Sequence, residues 1–114
     1  MNVYDKAHEL ARAIKDSSEV ADISAAMKLV DADPEGKAML ESFRQNQAEM
    51  QQRMMSGEMP AQEEMEKMEK LFEVLNLNLG IRRLFDAERR LSVVIEDVNK
   101  IITESLQELY GELG

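Results

Sequence analysis

The chain has no cysteine, no tryptophan, one histidine, two prolines and five glycines among its 114 residues, and only three phenylalanines and two tyrosines supply aromatic rings. Without cysteine there is no disulfide, no thiolate-bound zinc, no iron–sulfur cluster held through thiolates and no thiol nucleophile. The scattered glycines form no phosphate-cradling loop. A lone histidine, His8, cannot supply the two Glu-x-x-His pairs of a carboxylate-bridged dimetal bundle. Asp5 stands one turn before His8, a spacing that offers a weak surface metal contact, while the plainer reading is a solvated or half-buried histidine on an amphipathic helix. No nucleophile-elbow sequence surrounds any serine. No catalytic residue, metal site, cofactor or small-molecule substrate is therefore expected, and the protein reads as a non-enzyme. No apolar run approaches the roughly 18 residues that cross a bilayer. The opening residues, Met1 to Lys6, lack the basic and apolar regions of a signal peptide. The expectation is a cytoplasmic protein without membrane insertion.

Positive charge is also scarce. Lys and Arg number 14 against 23 Asp and Glu, which leaves a formal net charge of -9. Phosphate contacts require a basic face, so non-specific binding to nucleic acid or anionic membrane is disfavoured.

Helical periodicity is what the chain has in abundance. Apolar types make up 44% of it, and with so few aromatics the core falls to Leu, Ile, Val, Ala and Met. The strongest pattern runs from Asn78 to Leu109. Ile81, Leu84, Leu91, Ile95, Val98, Ile102 and Leu109 lie along one seam, widened by Phe85, Val94, Ile101 and Leu106. A stripe so wide serves several neighbouring helices, where a two-in-seven seam serves one. About thirty helical residues at ~1.5 Å each reach roughly 45 Å, against a radius of gyration of only ~13 Å for a compact chain of this size. The fold class expected is therefore all-α: an elongated bundle of four to five helices in a single domain, residues 1–114, completed by a second copy as a homodimer or higher oligomer.

The boundaries follow from capping chemistry. Asn2 caps a first helix with Val3, Ala7, Leu10, Ala11 and Ile14 on its apolar face. Asp16, Ser17 and Ser18 interrupt it, and either serine can begin a second helix carrying Val20, Ile23, Met27 and Val30; one kinked helix is the alternative. Asp33 before Pro34 marks the start of a third helix, because Pro suits the first helical position and disfavours helix in the residue before it. That helix should run to about Met55 and bury Met39, Leu40, Phe43, Met50 and Met54, with Gln45, Asn46, Gln47, Gln51 and Gln52 as an uncharged flank. Ser56-Gly57-Glu58-Met59-Pro60 ends it, and a fourth helix from Pro60 carries Met65, Met68, Phe72, Leu75 and Leu79. So short a connection makes the third and fourth helices an antiparallel hairpin. Asn78 is the expected cap of the long last helix, with a bend or a fused helix equally compatible.

Two clusters are candidates for partner binding. Seven of the nine methionines crowd around the hairpin, and thioethers serve both as core fillers and as adaptable binding surfaces. Met54, Met55 and Met59 are the ones expected to be exposed, since no helical turn lies beyond them. Arg82, Arg83, Arg89 and Arg90 form the only concentrated positive charge, each pair recurring after seven residues. Asp86, four residues from both Arg82 and Arg90, can neutralise part of it. The bland reading is a solvated or subunit-pairing face; the functional readings are an acidic protein partner or RNA phosphate, and no aromatic platform for bases stands nearby.

Ala32-Asp33-Pro34-Glu35-Gly36-Lys37-Ala38-Met39-Leu40-Glu41-Ser42-Phe43 resembles the A-D-P-E helix start of the YlbF/YmcA family of small all-helical proteins from Gram-positive bacteria. The stretch from Asn78 through Ala87-Glu88-Arg89-Arg90-Leu91 to Asp97-Val98-Asn99-Lys100-Ile101-Ile102 is similar to that family's second block, and the YheA-like branch is the nearest in character. The resemblance implies a regulatory adaptor without an active site, of the kind that acts with the endoribonuclease RNase Y in mRNA processing and influences developmental programmes. Complexes of well-known members are associated with iron–sulfur clusters, which a chain without cysteine cannot ligate through thiolates.

Overall fold

The structure, a computed structural model, describes residues 2–113, with side chains from residue 2 to residue 111. It has five helices, α1 (Val3–Lys15), α2 (Ser18–Asp31), α3 (Pro34–Met55), α4 (Gln62–Leu75) and α5 (Leu79–Leu113), and no strand among the described residues. The all-α expectation and the hairpin of the third and fourth helices both hold.

Each boundary has a local cause. Asn2 Oδ1 accepts the Tyr4 N–H at 2.8 Å and opens α1. The Ser17 hydroxyl donates to the Ile14 carbonyl at 2.6 Å and accepts from the Val20 N–H at 3.4 Å, closing one helix and opening the next. The first two helices are thus separate. At the end of α3, Gly57 adopts φ 87°, with its N–H on the Met54 carbonyl at 3.0 Å and the Glu58 N–H on the Arg53 carbonyl at 2.9 Å. This is a Schellman end, and glycine is the residue that meets its backbone requirement. The fourth helix departs from expectation: it begins at Gln62, two residues after Pro60. Ala61 keeps an extended backbone (φ -66°, ψ 150°), so the residues after the turn are used to reverse the chain before winding starts. Ala61 offers no side-chain cap, and Glu63 and Glu64 in the first turn complement the helix dipole instead.

The helices sort into two units. One comprises Ser24–Leu84; the other joins the residues up to Ile23 with those from Phe85 onward. In the first, Ala26, Val30, Leu40, Phe43, Leu75, Ile81 and Leu84 are buried and form the core. Where that core meets the helix starts, two caps interlock. Asp33 Oδ1 accepts the Gly36 N–H at 3.2 Å and so caps α3. Its other oxygen accepts from the Asn78 side-chain amide at 2.9 Å, while Asn78 Oδ1 accepts the Ile81 N–H at 3.1 Å and caps α5. Gly36 is buried beneath this pair, and a Cβ there would stand 2.6 Å from Asp33 Oδ2 and 2.8 Å from Asn78 Nδ2. Nearby, a Cβ on Gly80 would lie 3.1 Å from Leu29 Cβ.

In the second unit Ala87 is fully buried, while Leu91, Val94 and Val98 are half-buried. The burial of Ala87 was not anticipated from the apolar pattern. Arg90 reaches Asp22 at 3.0 Å and links the start of α2 to α5.

Asn78→Ala removes a cap and a hydrogen bond to a part-buried carboxylate, so it should cost about 1.5–3 kcal/mol in urea unfolding. Asp33→Ala should cost a similar amount, and the double variant less than the sum of the two. Gly36→Ala should destabilise as well, reversing the gain of roughly 1 kcal/mol that the same change gives in an open helix interior.

Candidate functional site

The hairpin of α3 and α4 is set in register by two contacts. Arg53 meets Glu64 at 2.8 Å and Glu58 at 3.4 Å near the turn, and the Phe43 and Phe72 rings lie 6.0 Å apart at the other end. Hydrogen bonds to Glu64, foremost, and to Glu58 hold the Arg53 guanidinium more firmly protonated than an isolated one. Two helices share only one line of contact, and the two sides of that line differ here. One side is polar, a shallow depression lined by Glu49, Arg53, Glu64 and Lys67 among others. The other is an open apolar groove of about 640 Å³ whose walls include Phe43, Met50, Met54, Met65, Met68 and Phe72.

That groove corrects the expected core. Leu40, Phe43 and Leu75 are buried as predicted, but Met39, Met50 and Met68 are half-buried, and Met54, Met65 and Phe72 are exposed. Leu79, expected in the fourth helix, begins α5 and is exposed. The sequence pattern identified the apolar side of each helix correctly; one hairpin simply lacks the further helices needed to cover it. Gln47, Ala48 and Gln51 line the groove's α3 wall, and of the charged residues only Arg44 and Glu69 line it. Charge is thin on this wall for a chain in which 32% of residues are charged.

The three methionines singled out at the tip are exposed: Met54 by 52%, Met55 by 84% and Met59 by 77%. The first lines the groove; the other two stand at the end of α3 and in the turn.

The arginines divide. Arg82 and Arg83 are exposed and belong to the unit Ser24–Leu84, whereas Arg89 and Arg90 belong to the other. Arg89 binds Asp86 at 2.9 Å, and Arg90 binds Asp86 at 3.1 Å and Asp22 at 3.0 Å. Asp86 therefore pairs with Arg90 as the spacing predicts, but its second partner is Arg89 and not Arg82. The hydrogen bond from Arg89, ahead of that from Arg90, holds the Asp86 carboxyl below the usual carboxylate range. The hydrogen bond to Asp22 is the largest influence raising Arg90 above the usual guanidinium value. With Asp86 and Asp22 in contact, much of the positive charge of this half of the stripe is locally balanced.

A third feature is the uncovered apolar surface of α1 and distal α5. No residue of α1 is buried, although Val3, Leu10 and Ile14 recur on one face, and of these only Ile14 is as much as half-buried. On α5, Ile101, Ile102, Leu106, Leu109 and Tyr110 are each more than half exposed. Ile95, Ile102 and Leu109, which the apolar pattern places on one seam, are exposed in the single chain.

His8 is exposed, and among the described residues no group of three or more His, Asp or Glu comes together to hold a metal ion. No described helix is long and apolar enough to cross a membrane.

Comparisons with known proteins agree with this architecture. A family profile described as "Control of competence regulator ComK, YlbF/YmcA" matches residues 3–107. A UPF0342 protein of Alkalihalophilus pseudofirmus is 47% identical over 96% of the chain and 93% of its own length. The UPF0342 protein YheA of Bacillus subtilis is 37% identical over 99% of the chain and 97% of its own length. A solved structure from Bacillus stearothermophilus, titled a protein of unknown function (DUF964), superposes with a TM-score of 0.87 at 25% identity, covering 95% of both chains.

The Asp86 pairing sets a pH signature. Because its folded-state pKa is depressed, its contribution to stability is present above the usual carboxylate pKa and is lost as pH falls through the lower folded value. An NMR titration of the Asp86 carboxyl should show a midpoint below the usual range that moves upward in 1 M salt, since the partners are exposed and screened. Arg89→Gln should raise that midpoint too.

Proposed function

The chain belongs to the YlbF/YmcA family of competence control, and from that premise we propose that it is a regulatory protein without catalysis, one that acts by holding other proteins on its helical surfaces. The family is one of regulators, and no enzymatic family is indicated by its relatives. The observation that carries the reading is the uncovered apolar surface of α1 and distal α5. Amphipathic helices gain most of their stability from burying one face, and at about 25 cal/mol per Å² of apolar area an uncovered face forgoes a large contribution. Such faces mark interaction sites. Ile101, Ile102, Leu106 and Leu109 supply four apolar side chains at helical spacing on one helix, a pattern suited to another helix.

In this reading the distal half of α5 and the apolar face of α1 bind a second copy, giving a homodimer or higher oligomer. The other protein partner meets Met54, Met55 and Met59 at the hairpin tip, or the guanidinium groups of Arg82, Arg83, Arg89 and Arg90. Adaptable thioethers and an exposed arginine pair suit a surface that must fit an acidic or apolar protein patch. By family resemblance the process served is RNase Y-dependent mRNA processing. RNA itself is the weaker ligand, because Asp86 and Asp22 already balance Arg89 and Arg90, and Phe85, the ring within the stripe, is half-buried.

Two measurements test this. Ile102→Glu combined with Leu106→Glu should lower the molar mass in light scattering by half or more while circular dichroism stays helical; an unchanged mass would remove the self-association part. Crosslinking of the tagged chain in Bacillus cells should recover RNase Y above an untagged control, with the yield falling at least tenfold when Met54, Met55 and Met59 are replaced by Ser. Recovery of the chain's own peptides alone, across several growth states, would rule out the adaptor role.

A further inference from the structure

The apolar groove on the α3–α4 hairpin lies apart from the α1 and α5 faces and from the arginines, and shares only Met54 with the hairpin tip. We propose that the groove docks the same groove of a second copy, so that two hairpins related by a two-fold axis close a four-helix bundle.

Charge is the first argument. Every copy carries a net charge of -9, so two copies repel unless they meet where charge is locally balanced. Arg44 and Glu69 give the groove lining one charge of each sign, and the rest of it is uncharged. The opposite side of the hairpin, with Glu49, Arg53, Glu64 and Lys67, is the charged one. Depletion of charge together with enrichment in Met and aromatic residues is also the composition of an interface core. A basic or acidic partner helix would find little here to select it.

Geometry is the second. Phe43 and Phe72 mark one end of the groove, and Met54 and Met65 line it towards the turn. Ala48 on α3 and Met68 on α4 fall midway between these ends in sequence. A two-fold axis beside them lays the aromatic end of each hairpin over the methionine end of the other. Sulfur over an aromatic ring is a favourable contact, and a flexible thioether adjusts to fill the gap. The small side chain of Ala48 at the centre lets the two α3 helices approach closely.

The chain's lack of cysteine makes a direct test available. Ala48→Cys should form a disulfide-linked dimer under mild oxidation in most of the protein, whereas Glu41→Cys, an exposed position that does not line the groove, should not. In parallel, Met50→Glu with Met68→Glu should at least halve the molar mass measured by light scattering, with circular dichroism confirming that the helices persist. This interface and the one on α5 fail separately. The groove variant lowers the mass whether or not Ile102→Glu with Leu106→Glu does. No crosslink at Ala48, or a groove variant of unchanged mass, would overturn the proposal and leave the groove to a different protein.

Discussion

Asp33, Gly36 and Asn78 form the interaction on which the unit Ser24–Leu84 depends. One carboxylate and one amide satisfy donors at the starts of two helices and bond to each other across 45 residues of sequence. Both helix starts present partial positive charge; Asp33 caps α3 directly and is joined to the start of α5 through the Asn78 amide. The arrangement leaves no space for a side chain at residue 36, which is why the sequence places a glycine in the first turn of a helix where alanine would otherwise be favoured. Ile81 and Leu84 follow Asn78 directly, so the cap that starts α5 also fixes which of its side chains enter the core beside Leu75 and Leu40.

Beyond that core the chain makes helices faster than it covers them. A helix forms from local capping and periodicity, but its apolar face is stabilised only where another element lies on it. The hairpin has a partner along one line and an open groove beside it; α1 and distal α5 show apolar faces with little cover. The same constraint thus explains why Leu40 and Phe43 are buried while Phe72, directly across from Phe43, remains 43% exposed. Acidic side chains on the remaining surface oppose indiscriminate self-association, because a net charge of -9 penalises contact between copies except at balanced patches.

What the sequence disclosed and what it did not can be separated by range. Caps and stops are local, and so Asn2, Asp33, Pro34, Gly57 and Asn78 were readable as punctuation from residue chemistry alone. The bond between Asp33 and Asn78 was not readable, since nothing in either cap's neighbourhood specifies a partner so far along the chain. Apolar periodicity tells which side of α3, α4 and α5 avoids water but not whether the same chain supplies the cover, which is why Met65 and Phe72 on α4 and Ile95 and Ile102 on α5 stand exposed. Ala87 escaped notice because a small residue adds little to an apolar pattern, yet it is fully buried. At the arginines, spacing found Arg90 with Asp86 but could not foresee Asp22 on another helix or the choice of Arg89 over Arg82.

Methionine is the residue type that ties these points together. Leucine in the groove would bury as much area with fewer rotamers to immobilise, and would give a better-defined core if the groove were always covered. Four methionines there, and two more at the turn, suit a surface that is covered at some times and open at others, because an unbranched thioether can refill the space its partner vacates. The ordering of those side chains opposes association, which would keep a contact at the hairpin reversible. In the proposed regulatory role that reversibility would be needed, and the capped, glycine-dependent core could stay intact while the methionine surface exchanged partners.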